Sequence, residues 1–120
     1  MIVAIPVDDN KTDICVSFGR APYFLFVNTD TDEINTKENP GANAESGAGL
    51  KTAQFVIDNN AEAIITIRCG ENSAEVLKEA EINIFKAESN NAKTDFESFK
   101  KGNLAPLTKF TAGFHGKVWK

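Results

Sequence analysis

AIITIRCGENSAEVLKEAEINIF, residues 63–85, carries the reading that decides the fold. Ala63 to Ile67 is a fully apolar run, as expected of a strand buried on both faces of a sheet. Arg68-Cys69-Gly70-Glu71-Asn72-Ser73 turns the chain, and a helix is expected from about Ser73 to Ala80, with Asn72 or Ser73 as its N-cap. Asn83-Ile84-Phe85 is short, apolar and β-prone, a second strand. Strand, helix, strand with tight connections is a right-handed crossover unit, and it demands a parallel pair. Upstream, Leu50 to Asn59 places Leu50, Ala53, Val56 and Ile57 at helical spacing. Ahead of it lies ENPGANAESGAG (38–49), a small, polar, Gly- and Pro-rich loop.

Ile2 to Val7 is another unbroken apolar run closed by Asp8-Asp9-Asn10, so it reads as a central strand. Ile14 to Ser17 is a short extended piece. Tyr23–Thr29 and the polar Glu33–Lys37 flank the turn Asp30-Thr31-Asp32 and form a hairpin, the polar member at the sheet edge. Lys93 to Lys101 is an amphipathic helix carrying Phe96 and Phe99. From Gly102 onward few periodic features remain, and the segment is expected to lie along the surface or fray. The sum is an α/β fold of three layers, helices on both faces of a mostly parallel sheet.

With 120 residues there is room for one domain. Apolar residues are 42% and charged residues 25%, ordinary globular values that exclude wholesale disorder. The net charge of −4 and a pI near 5.0 argue against nucleic-acid binding, which wants a basic face. No apolar run approaches the ~20 residues of a membrane span. MIVAIPVDD lacks the basic start and cleavage site of a leader, so the expectation is a cytoplasmic protein. Cys15 and Cys69 form no CxxC pair and are expected to be reduced thiols. A single histidine, His115, cannot build a His-rich metal site.

The rare residues gather in three segments that should project from the carboxyl ends of the strands, where open α/β sheets bind ligands. These are Ser17-Phe18-Gly19-Arg20, Ser46-Gly47-Ala48-Gly49 and Arg68-Cys69-Gly70. The only arginines, Arg20 and Arg68, lie in them, and both cysteines lie in or beside them. Two helix N-termini, close-approach glycines and guanidinium forks make an anion pocket on an acidic protein. A thiol at a helix start beside arginine is expected to have a lowered pKa, and Cys69 meets that description better than Cys15. The guest would then be anionic and thiophilic, such as a metal–sulfur cluster.

Plainer readings stand beside these. Gly-rich turns before helices are common loop chemistry, and SGAG has neither dinucleotide nor P-loop spacing. Cys15 reads as a small buried hydrophobe, Arg20 as a residue that ties its loop to nearby carbonyls, and Asp8, Asp9 and Asp13 as a solvated acidic turn. His115 reads as a solvated tail residue, and no nucleophile–base pair can be assembled around it.

SFGRAPYFLFV (17–27), ENPGANAESGAGLKTAQFVIDNNAEAIIT (38–66), CGENSAEVLKEAEINIF (69–85) and FKKGNL (99–104) resemble the dinitrogenase iron–molybdenum cofactor biosynthesis family, the NifX, NafY and NifB C-terminal-domain group. The resemblance spans residues 1–107, leaving 108–120 as a C-terminal tail. It implies a ribonuclease H-like α/β/α fold with a five-stranded mixed sheet, in which Glu33–Lys37 or Tyr23–Thr29 runs antiparallel. It also implies a carrier or scaffold that binds an iron–molybdenum or iron–sulfur type cluster without turnover and exchanges it with donor and acceptor proteins. By position, the cluster would be held by Phe18, Gly19, Arg20, Ser46, Gly47, Gly49, Arg68, Cys69 and Gly70, with Cys69 as the metal ligand. The chain departs from the family in having Asn43-Ala44-Glu45-Ser46 where a His is frequent and Gly70-Glu71 where Gly-Pro is frequent. A monomer is expected, with no nucleic-acid or membrane partner. Two other readings are a protein-interaction module using the edge strand with Phe114 and Trp119 of the tail, and a metal-dependent enzyme acting on phosphates through Asp8 and Asp9.

Overall fold

The computed structural model describes residues 1–111. Eight elements follow in chain order: β1 (Ile2–Val7), β2 (Tyr23–Asn28), β3 (Ile34–Glu38), α1 (Ala48–Asp58), β4 (Ala63–Thr66), α2 (Glu71–Glu79), β5 (Asn83–Lys86) and α3 (Ala92–Lys100). They build one five-stranded sheet in the order β3-β2-β1-β4-β5. β1 pairs with β4, and β4 with β5, in parallel; β2 is antiparallel to both of its neighbours. Of the two strands that could have been reversed, it is therefore Tyr23–Asn28.

The continuous apolar runs have the cause expected of them. β1 has helices over both faces: Ala4 packs with Phe24, Phe26, Ile64 and Ile84 beneath α1 and α2, while Val3, Ile5 and Val7 pack with Leu25, Val27, Ile65 and Phe96 of α3. A one-residue slip of β1 would exchange these two sets, so its register is strongly specified. β3 pairs only with β2 and is exposed along its whole length, which explains its polar sequence.

Two expectations are corrected. α2 starts at Glu71, earlier than Ser73, and its N-cap is Gly70, not Asn72 or Ser73. No side chain caps it; instead the Glu71 N–H donates to the Thr111 carbonyl at 2.9 Å, a partner forty residues away in sequence. α1 starts at Ala48 and turns Thr52, Ala53 and Val56 inward, leaving Leu50 48% exposed rather than in the core. Residues 103–111 lie along the fold, one of the two courses expected of this segment. Leu104 and Leu107 are buried, and the chain lies antiparallel along β5, with the Lys86 N–H donating to Ala105 O and the Leu107 N–H to Ile84 O, both at 2.9 Å.

β1 and β4 are in register only at Val3 and Ala4. Beyond them Pro6 has no N–H to give, and its carbonyl accepts from the Cys15 N–H at 2.9 Å instead. The strands thus part at their carboxyl ends, and the loop from Cys15 to Arg20 occupies the gap.

Candidate functional site

The three glycine- and arginine-bearing segments do meet at that edge. Ser17 forms a parallel bridge with Arg68. Gly19 lies against the first turn of α1 so closely that a Cβ there would stand 3.0 Å from Gly49 Cα and 3.1 Å from its nitrogen. A Cβ on Gly49 would in turn run into Ser73 Oγ of α2. The loop therefore packs main chain to main chain on α1, and α1 packs through Gly49 on the Ser73 side chain of α2, which brings both helix N-termini to one rim. Gly47, at φ 69, is the N-cap of α1 and supplies no capping side chain. No side chain caps the first-turn N–H groups of α1, and the exposed Ser46 and Gly47 stand beside them.

The individual side chains divide by role. Phe18 is 2% exposed and meets Phe24 edge-on at 5.6 Å, so it anchors its loop in the core. Arg20 is exposed, its N–H donates to Ser17 Oγ at 3.0 Å, and its Nη1 donates to the carbonyls of Ala42 (3.3 Å) and Ala44 (2.5 Å). It ties the 17–20 and 41–46 loops together. Arg68 is exposed and forms no ion pair among the described residues. Gly70, half-buried, caps α2.

The expected thiolate at Cys69 is corrected. The residue is 2% exposed, and Sγ donates to the Gly70 carbonyl at 3.7 Å. Burial pushes the thiol up to about 12, against a smaller downward pull from the Lys78 charge. Proximity to a helix start does not help a sulfur that water cannot reach. Cys15 is half-buried beside Ser17 and Asp8. Its thiol is also raised, by burial first, against a lowering backbone hydrogen bond at Ser17; the Asp8 hydrogen bond and charge raise it further.

Asn39 escaped the sequence reading, yet it holds the rim together. It is 5% exposed. Its Nδ2 donates to the carbonyls of Gly19 (3.2 Å) and Ala21 (2.9 Å), and its Oδ1 accepts from the Gly41 N–H (2.9 Å) and Thr52 Oγ1 (3.1 Å). Thr52 Oγ1 also reaches Gly19 O at 2.9 Å. The signal was present as Asn39-Pro40-Gly41, since a Cβ at Gly41 would collide with Thr52 Oγ1 and stand 2.8 Å from Ala48 O.

Asp8 and Asp9 follow β1, but among the described residues no three His, Cys, Asp or Glu side chains come together to hold a metal ion. The rim offers N–H and guanidinium donors rather than a coordination cage. His115, Phe114 and Trp119 lie outside the described residues. No helix among the described residues is long and apolar enough to cross a membrane.

A family model described as "Dinitrogenase iron-molybdenum cofactor" matches residues 1–102. An uncharacterised protein of Methanocaldococcus jannaschii is 29% identical over 107 residues, covering 87% of this chain and 89% of its own. Among solved structures, a Thermotoga protein described as a candidate NifB protein is 31% identical, with TM-score 0.76 over 92% of this chain and 96% of that one. A candidate dinitrogenase of Methanocaldococcus jannaschii is 28% identical, with TM-score 0.70 over 91% and 96%. The apo form of the orange protein from Desulfovibrio gigas, 22% identical, shares the fold with TM-score 0.82 over 89% and 92%.

Proposed function

The chain belongs to the dinitrogenase iron-molybdenum cofactor family, and from that premise we propose that it is a small carrier or scaffold for an anionic metal–sulfur cluster, with no turnover of its own. The observation that carries this reading is the close stacking of Gly19 on Gly49, main chain on main chain, and of Gly49 on the Ser73 side chain. It sets two helix N-termini beside Arg68 on an otherwise acidic molecule. A bulky anion is attracted there by hydrogen-bond donors and positive potential, and Gly47, where a Cβ would meet nothing within 4 Å, leaves it access to the main chain.

The parts have distinct tasks in this reading. Ser46 and Gly47 open the α1 terminus to the cluster, Gly49 lets the 17–20 loop and α2 pack against it, and Arg68 supplies charge. Phe18, Gly19, Arg20 and Gly70 shape the rim without themselves being the main donors. Cys69 packs the turn as a neutral thiol, and the less buried sulfur is that of Cys15. Docking is electrostatic, which suits cargo that must be handed between a donor and an acceptor protein. The protein acts as a monomer, its one polar edge strand, with Lys37 and Glu38, discouraging sheet-to-sheet pairing.

The test is an anaerobic titration of the apo-protein with iron–sulfur and molybdenum–sulfur clusters. It is followed by gel filtration with metal and sulfide analysis and by amide shifts. Co-eluting metal with shifts confined to residues 17–20, 46–50 and 68–73 supports the reading. Absence of both with every cluster refutes it.

A further inference from the structure

After α3 the chain returns to the rim. Leu104 and Leu107 anchor it along β5. Thr108 and Lys109 are then exposed. Phe110 is half-buried against the core beneath α1 and α2, and Lys78 Nζ lies 4.6 Å from its ring centre. Thr111, exposed, forms a parallel bridge with Gly70. Its N–H donates to the Cys69 carbonyl at 3.0 Å, and its own carbonyl accepts from the Glu71 N–H at 2.9 Å. Its Oγ1 reaches the Cys69 oxygen more weakly, at 3.5 Å.

The Glu71 N–H is the first of α2, one of those that helix geometry leaves without an intrahelical partner. A helix start favours negative charge, and a carbonyl oxygen carries a partial one. The Thr111 carbonyl thus stands where an anion drawn to α2 would accept its hydrogen bond. The hold on it is slight. Between Leu107 and Thr111 no backbone hydrogen bond ties the chain to the other described residues. Two main-chain bonds, the hydroxyl contact and one half-buried ring keep the segment down. Against them stands the ordering of residues 108–111, so the balance between closed and lifted states is small.

We propose that residues 108–111 form a strap, hinged at Leu107, that competes with the anionic guest of the rim for the start of α2. Closed, the strap covers the Glu71 N–H; displaced, it hands that donor to the guest. The proposal rests on the reading of the rim as an anion site and adds its regulation. A strap open in about one molecule in ten lowers the apparent affinity of the rim about tenfold. Whatever draws residues 108–111 away therefore tightens the hold on the cargo, and whatever presses them down releases it.

Two measurements on the whole chain separate the strap from the rim. Hydrogen exchange of the Glu71 amide reads the strap with no ligand present. Anaerobic titration with tetrathiomolybdate, a doubly charged molybdenum–sulfur anion, reads the rim. Phe110→Ala removes the ring, whereas Thr111→Pro removes the N–H given to Cys69 and leaves Phe110 over Lys78; neither alters the net charge. In both variants exchange at Glu71 should rise about tenfold, with that of Ala74 unchanged, and the probe should bind more tightly by the same factor. Saturating the wild-type chain should add residues 108–111 to the amide shifts of the rim and speed exchange at Thr111. Binding that stays at wild-type strength while Glu71 exchange accelerates would overturn the strap and leave the anion reading standing. Unchanged Glu71 exchange in both variants would overturn the strap as well. A probe that binds neither wild type nor variants sinks the anion reading, and the strap as its competitor with it.

Discussion

Asn39→Ala should be the most damaging single change at the rim that leaves every apolar contact of the core intact. Four hydrogen bonds end at this side chain. Gly19 O retains Thr52 Oγ1, and Thr52 retains Gly19 O, so two of the losses are softened. The Ala21 carbonyl and the Gly41 N–H lose their amide partner in a buried setting. At about 1–2 kcal/mol for each buried group left unpaired, and less for the other two, the cost is about 3 kcal/mol. That is a large share of the ~5–15 kcal/mol that holds a domain of this size. Urea unfolding with an unchanged m-value measures it. Asn39→Asp separates hydrogen bonding from shape. It preserves the volume but turns an oxygen toward two carbonyl oxygens, so it should be at least as destabilising as alanine. A loss below about 1 kcal/mol for alanine, or an aspartate variant close to wild type, would refute the view that this amide staples the rim.

Gly19→Ala should destabilise by about 1–3 kcal/mol in urea unfolding, because the new methyl meets the main chain of α1. Gly49→Ala meets only Ser73 Oγ, a side chain that can rotate, so it should cost less, and adding Ser73→Ala should recover most of the loss. Thiol labelling of the native protein at pH 8 should modify Cys15 well before Cys69, which should react only after unfolding; comparable rates would contradict the burial of Cys69. Because the folded thiol of Cys69 is raised from about 9 to about 12, the unfolded chain releases this proton first as pH rises. Its contribution to stability is therefore whole below pH 9 and declines between pH 9 and 12, with a limiting slope of about 1.4 kcal/mol per pH unit. Cys69→Ala should remove that part of the alkaline slope. Truncation after Leu107 removes the Thr111 carbonyl, so amide exchange at Glu71 should accelerate while that of Ala74, bonded to Gly70 O, changes little.

How much was legible depended on whether a residue's partner was near in sequence. β1 was read to the residue because burial on both faces leaves an unbroken apolar run, and α3 was placed within a residue at each end by its periodicity, although its local cap, Asn91 accepting from the Thr94 N–H at 3.0 Å, was not named. The start of α2 was misread because its cap comes from Thr111, and no pattern near Glu71 announces that. Leu50 was placed in the core by periodicity, but the helix face is set by the need for small groups where α1 crosses α2. The three rim segments were identified from glycine, arginine and cysteine alone, and the structure does bring them together. What those letters could not show was direction. Arg20 reaches to carbonyls, and Cys69 faces inward, where water cannot stabilise its charge.

The Thr111 bridge to Gly70 also matters to anyone handling the molecule. Thr111, the last described residue, lies at the rim itself, whereas Met1 lies at the opposite, amino end of the central strand β1, its ammonium 3.8 Å from Asp30 in the β2–β3 turn. A purification handle, fluorophore or surface linkage joined through the carboxyl terminus would therefore be tethered within reach of the very donors under test, and a polyhistidine handle would bring foreign metal ligands to them. Attachment at Met1 keeps such additions on the opposite side of the protein.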